Sequence, residues 1–158
     1  MEKWIIFDFD GTIIDSMDVS LKAYNRLAKK YNLPSVTKCE LSNMKGSAVN
    51  NHLKAHRISW FKMYFLIRTF LKNYEHLMSE ITLFEGIKDL LTSLHKKGFR
   101  LAVLSSNKAD HIKELSKRFD LHMFDTVVGG ASFFGKQHRL NKLMLRKKID
   151  VRHALYVG

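Results

Sequence analysis

Four short apolar runs, separated by stretches of helical pattern, constrain the fold of this chain more than any other feature. Trp4-Ile5-Ile6-Phe7, Phe99 to Leu104, Thr126-Val127-Val128 and Ala154-Leu155-Tyr156-Val157 are β-branched or aromatic runs of strand length. Between them, Ile87 to Lys97 reads as a helix ended by Gly98, and Ile112, Leu115 and Phe119 keep helical spacing. Leu140, Leu143, Met144 and Ile149 do the same. Strands that alternate with helices predict βαβ units and a parallel sheet with right-handed crossovers. The scheme is interrupted after the first strand. Val19, Ala23, Leu27 and Tyr31 mark a helix that begins at Asp15-Ser16 and is stopped by Asn32-Leu33-Pro34. Leu41, Met44, Ala48, Val49 and Leu53 keep a weaker helix-like spacing around Gly46. Trp60, Met63, Tyr64, Ile67, Phe70, Leu71, Tyr74 and Met78 then trace one long stripe. The expected architecture is α/β: a core of residues 1–15 and 83–158, with an all-helical domain inserted over 16–82.

Composition narrows the setting. A hydrophobic fraction of 46% and a charged fraction of 27% exclude a disordered or fibrous chain. Cys39 has no second cysteine for an intramolecular disulfide, and Met1-Glu2-Lys3 followed by a short apolar run lacks signal-peptide anatomy. Trp60 to Phe70, the most apolar later stretch, is broken by Lys62 and Arg68. These features predict a cytoplasmic protein with no membrane partner. Twenty-seven Lys and Arg against fifteen Asp and Glu leave a net charge of +12. The basic residues are scattered, with Lys29-Lys30, Lys96-Lys97 and Arg146-Lys147-Lys148 at predicted helix ends, where they complement the helix dipole. No zinc-finger spacing, basic heptad or aromatic RNA-binding signature accompanies them. No specific nucleic-acid partner is expected, only a general attraction for polyanions and anionic substrates.

In an open parallel sheet, ligands bind beyond the carboxyl ends of the strands. The residues at those ends are Asp8 and Asp10, then Ser105-Ser106-Asn107, then Lys136 after the third strand. Two carboxylates, hydroxyls, backbone amides and a lysine suit a phosphate ester with a magnesium ion. One carboxylate can attack phosphorus and form an aspartyl-phosphate. A second acid two residues on can protonate the leaving oxygen and then activate water. Hard oxygen donors suit Mg2+.

Asp8-Phe9-Asp10-Gly11-Thr12-Ile13-Ile14-Asp15-Ser16 resembles the first motif of the haloacid dehalogenase superfamily, in its phosphatase branch. Leu101 to Lys108 is similar to the second motif, Phe134-Gly135-Lys136 to the third, and Leu155-Tyr156-Val157-Gly158 to the approach to the fourth. The helical block is similar to the cap of phosphoglycolate-phosphatase-like members. The resemblance implies Asp8 as nucleophile and Asp10 as general acid/base, with the Asp10 carbonyl and Asp8 holding Mg2+. It implies that Thr12 positions Asp10, that Ser105 and Ser106 belong to the phosphate-binding turn, and that Lys136 neutralises charge around Asp8. Amides in the turns after Asp8 and Ser105 would supply further donors. The family carries an acidic magnesium ligand directly after the fourth strand, where this sequence stops at Gly158. Weak Mg2+ binding, poor hydrolysis and self-association through an uncovered sheet edge or the cap are therefore expected of it. Glu85 also stands where relatives often have proline.

Competing readings remain open at this level. For Asp8 and Asp10 the alternative is a calcium loop, but a strand precedes them and Val19 stands where a glutamate ligand belongs. Gly130 to Lys136 has the spacing of a nucleotide-binding loop, yet Gln137 follows in place of the hydroxyl residue and leaves Asp8 and Asp10 unexplained. Ser105 and Ser106 could be ordinary turn formers, and Asn107 a helix cap. His52 and His56 have metal-ligand spacing without a third ligand. Phe61, Phe65 and Leu66 widen the long stripe, suggesting partner packing or the lining of a substrate entrance. In function, the expected activity is hydrolysis of a small phosphorylated metabolite. The alternatives are a phosphomutase using the same pair of acids, or a catalytically impaired module that binds polyanions.

Overall fold

The computed structural model describes residues 2–43, 60–130 and 136–158. These pack as two units, Met1–Asp15 with Thr82–Gly158, and Ser16–Ile81. Thr82, grouped with the helical block from its sequence position, lies with the first unit because it pairs with Asp15.

The first unit is built on a parallel sheet in which β5 (Thr126–Val128), β4 (Arg100–Leu104), β1 (Trp4–Phe7) and β6 (Ala154–Val157) lie in that order. β1 is flanked on both sides, Trp4 opposite Arg100 on one and opposite Ala154 on the other. All four of its residues are buried, as a parallel strand covered on both faces requires. On one face Trp4, Ile6, Ala102, Leu104, Leu143 and Ile149 form a core cluster, with Leu140 and Met144 packed against it. Leu143 comes from α6 (Lys136–Lys147). Leu91 of α4 (Ile87–Lys96), and Ile112 and Leu115 of α5 (Ala109–Arg118), are also buried. Each fully buried aliphatic side chain contributes about 1.5–3 kcal/mol. A two-stranded ribbon of β2 (Ile14–Asp15) and β3 (Thr82–Leu83) is antiparallel. Two residues per strand carry too little pattern to be read from sequence.

β6 differs from expectation. Its apolar composition is that of a buried strand, but Leu155 is 57% and Tyr156 38% exposed. Among the described residues β6 has a sheet neighbour on one side only, so burial there depends on a topology that its apolar composition does not reveal.

In the second unit, α1 (Met17–Tyr31) buries Val19, Ala23, Leu27 and Ala28 and ends at Asn32, which takes the left-handed conformation at φ 50°. α2 (Lys38–Asn43) starts with a capping box. The Thr37 N–H donates to Glu40 at 2.7 Å, and the Glu40 N–H donates to the Thr37 hydroxyl at 3.2 Å. α3 (Trp60–Leu77) packs along α1, with Asn73 donating to the Ala23 carbonyl at 3.2 Å. Its buried side chains include Leu66, Tyr74 and Leu77, whereas Tyr64 and Ile67 of the expected stripe are more than half exposed. The apolar surface of α3 is broader than one face, and packing selects the part lying against α1. The segment around Gly46, with His52 and His56, lies outside the described residues. The basic pairs end helices as expected: Lys29 and Lys30 in α1, and Arg146 and Lys147 in α6. Among the described residues, no helix is long and apolar enough to cross a membrane.

Candidate active site

The carboxyl ends of β1, β4, β5 and β6 deliver the polar residues that the sheet core excludes. Asp8 follows directly on β1, and its N–H donates to the Val157 carbonyl at 2.7 Å, continuing the ladder with β6. The chain then turns sharply. The Phe9 carbonyl accepts from the N–H groups of Ile13 at 2.9 Å and Ile14 at 3.1 Å, and Gly11 supplies a φ of +75°. Phe9 and Ile13 are fully buried, which anchors the turn from below while Asp8 and Asp10 stay partly accessible.

Lys136, at the start of α6, places its ammonium 2.5 Å from Asp8 Oδ2. The other oxygen, Oδ1, accepts the Phe9 N–H at 2.7 Å. Burial acts most strongly on the Lys136 pKa and would lower it. The hydrogen bonds to Asp8 and Tyr156, with the negative charge of Asp8, outweigh burial and hold the pKa above the ordinary lysine value. The Tyr156 ring lies 5.7 Å below the ammonium. A lysine raised in the folded state adds stability that is complete below the unfolded value near about 10.4 and is lost as pH rises through the folded value. Stability should therefore be insensitive to this group through neutral pH and fall only at strongly alkaline pH. Lys136→Met should lack that alkaline step in denaturant titrations run against pH. An identical fall in the variant would assign the step to other groups.

Asp10 is held from β4. Ser105, fully buried, donates its hydroxyl to Asp10 Oδ2 at 3.3 Å and accepts the Asn107 N–H at 3.0 Å. The Asn107 amide donates to both Asp10 oxygens at 3.3 and 3.4 Å. Asn107 is thus more than the helix cap its position suggests. The cap residue of α5 is Lys108, and it makes no side-chain capping bond. Gly129 closes this corner: a Cβ there would stand 2.5 Å from the Ala109 backbone nitrogen and 2.9 Å from the Asn107 carbonyl oxygen, so only glycine fits.

Of the residues singled out in the sequence, Asp8 and Lys136 meet directly, and Asp10 and Ser105 meet beside them. Thr12 lies in the turn and its N–H points to the Phe9 carbonyl; the hydrogen bonds described for the Asp10 carboxylate come from Ser105 and Asn107 instead. Ser106 makes no hydrogen bond to either acid among those described. Asn107 and Tyr156 join the site without a role that the sequence reading assigns to them. The signal for Asn107 was its place two residues beyond Ser105, and for Tyr156 its place two residues before the end of the last motif. The nucleotide-loop alternative loses its lysine to Asp8, and residues 131–135 of that loop lie outside the described residues. Two surface depressions, of about 420 and 320 Å³, flank α4 and include none of these groups.

The oxygens that the family resemblance would assign to a cation, the Asp8 carboxylate and the Asp10 backbone carbonyl, are both hard donors. No group of three or more acidic, histidine or cysteine side chains that could hold a metal is found among the described residues. This set fits Mg2+, which is commonly held by one or two carboxylates and keeps several waters, better than a metal that needs a closed protein cage.

A family model for haloacid dehalogenase-like hydrolases matches residues 5–158. The chain belongs to the haloacid dehalogenase-like hydrolases. This hydrolase is 25% identical over 155 residues to phosphoglycolate phosphatase of Synechococcus elongatus, covering 98% of the chain and 73% of that relative. It is 28% identical over 173 residues to phosphoglycolate phosphatase of Haemophilus influenzae, covering 99% and 76%. Its fold is similar to that of a haloacid dehalogenase-like hydrolase from Streptococcus pneumoniae, with a TM-score of 0.81 at 20% identity over 99% of this chain and 75% of that one. It is also similar to CbbY from Rhodobacter sphaeroides, solved in complex with phosphate, with a TM-score of 0.75 at 19% identity over 99% and 77%. The α/β core with parallel sheet and flanking helices is the fold of this family.

Proposed function

We propose that this hydrolase is a cytoplasmic, magnesium-dependent phosphatase that cleaves a small phosphorylated metabolite through an aspartyl-phosphate. The observation that carries this reading is the Lys136 ammonium on Asp8, with a second carboxylate, Asp10, held two residues away by Ser105 and Asn107. A carboxylate approaching a phosphate dianion meets charge repulsion, and an ammonium against it offsets that repulsion. Asp8 attacks phosphorus, its new P–O bond forming as the bond to the ester oxygen breaks. Asp10 gives its proton to the departing oxygen. In the second half, Asp10 takes a proton from water as that water attacks phosphorus, the acyl-phosphate P–O bond breaks, and Asp8 is regenerated with release of phosphate. Ser105 can turn its hydroxyl towards a phosphoryl oxygen. Mg2+ would be held by Asp8 and the Asp10 carbonyl and, when bound, would screen the negative charge of the phosphate.

Phosphoglycolate, named in the curated relatives, is the first substrate to try, and the net charge of +12 favours anionic metabolites generally. The test is phosphate release from an aryl phosphate and from a panel including phosphoglycolate, with Mg2+ and with a chelator. Release that stops on chelation is expected. Polyanion binding with no release from any ester would support a non-catalytic binding module instead. Transfer of phosphate between positions of a sugar, without net release, would support a phosphomutase.

A further inference from the structure

We propose that His111 is a positioning residue that acts through Asn107 to hold the Asp10 carboxylate in place, an inference that rests on the general acid/base role of Asp10. The chain of contacts leaves little freedom in its hydrogen assignments. Asn107 Oδ1 lies 2.9 Å from the Lys108 backbone nitrogen. A backbone N–H can only donate, so the atom facing it is the amide oxygen and not the amide nitrogen. The Asn107 NH2 is thereby turned towards Asp10, whose oxygens lie 3.3 and 3.4 Å away. His111 Nδ1 is 2.9 Å from the same Asn107 oxygen. That oxygen only accepts, so Nδ1 carries the proton and donates it.

Two donors therefore bracket the Asn107 oxygen, one from the backbone and one from a side chain. His111 is 6% exposed and Asn107 8%, so water competes weakly for these bonds. The Asn107 backbone is held as well, because its carbonyl accepts the Gly130 N–H at 2.6 Å. The side chain of Asn107 is then a movable link between a rigid corner and Asp10, and the His111 donor restrains its rotation. Without that donor, the amide oxygen loses one of the two bonds that bracket it, and the NH2 is held less firmly against Asp10. A misplaced acid costs rate most where the departing oxygen needs its proton most.

Two measurements test this. In the unaltered protein, the imidazole nitrogen shifts in NMR spectra should identify His111 as the Nδ1–H tautomer, with slowly exchanging Asn107 side-chain amide protons. An Nε2–H tautomer would overturn the proposal whatever the turnover. In the activity arm, His111→Phe should lower kcat for an alkyl phosphate by about ten- to a hundredfold, with KM little changed and a much smaller effect on a nitrophenyl phosphate. His111→Gln, which can donate from its own amide, should recover much of the loss. Equal losses on both esters, or no recovery with glutamine, would make His111 a packing residue only. Asp10→Asn run in parallel separates the two claims. If it shows no dependence on the leaving group, the reading of Asp10 fails; if it shows one and His111→Phe does not, the positioning role alone fails.

Discussion

Asp8→Asn is expected to reduce phosphate release by about a million-fold, the scale on which losing a covalent nucleophile acts in a hydrolase. The substitution is nearly isosteric. The carboxamide oxygen can still accept the Phe9 N–H that now lies 2.7 Å from Oδ1, so the turn after β1 keeps its geometry. What is lost is the anionic oxygen facing Lys136. A neutral amide neither attacks phosphorus nor balances that ammonium. Lys136 keeps access to solvent, so the folded state should survive with a small fall in Tm. Mass spectrometry of acid-quenched protein should show a phosphorylated adduct in the unaltered chain and none in the variant. Near-normal turnover by Asp8→Asn would remove Asp8 from the nucleophile role.

Asp10→Asn should slow turnover by about a hundred- to ten-thousandfold, the range typical of a missing general acid/base. Its carboxamide can accept from Asn107 and donate to Ser105, so two of the three hydrogen bonds described at Asp10 are kept and the larger deficit is in proton transfer. The loss should be smaller for an aryl phosphate, whose departing oxygen is stable without a proton. For that ester the first step becomes easier than the second, because Asp10 is also the base that activates water. A rapid burst followed by slow release, with phosphorylated Asp8 accumulating, is the expected signature in quenched-flow kinetics. A uniform loss across esters with no burst would argue that Asp10 serves the fold and not the proton.

The strand–helix alternation could be read from sequence because β1, β4, β5 and α4 to α6 each carry a complete local pattern. Lys136 lies against Asp8 although 128 positions separate them, because β1 and the segment after β5 end at the same carboxyl edge of the sheet. Burial was harder to foresee. The apolar residues of β6 look like those of β1, and only the number of sheet neighbours distinguishes Tyr156 from Ile6. On α3, Leu66 is buried while Ile67 beside it is exposed, a choice made by α1 and not by α3 itself. Asn107 has a cap as its plain sequence reading and His111 has none, for a related reason. An asparagine near a helix start and a histidine one turn on are ordinary in sequence, and become a relay only when Asp10 arrives from 97 positions away.

β1, flanked on both sides, precedes both of its sheet neighbours in the chain, so neither is yet made when it leaves a ribosome. Trp4 has to wait for Arg100 on one flank and for Ala154 on the other. At a synthesis rate of about 5–20 residues per second, roughly 5–20 seconds pass before the first partner exists. During that interval a four-residue apolar segment with unpaired backbone groups is available to any passing strand. The helices of Ser16–Ile81, rich in local contacts, can form within it, whereas the sheet cannot. Yield in the cell should therefore respond to translation speed and to chaperone supply more than the equilibrium stability of the finished molecule would suggest.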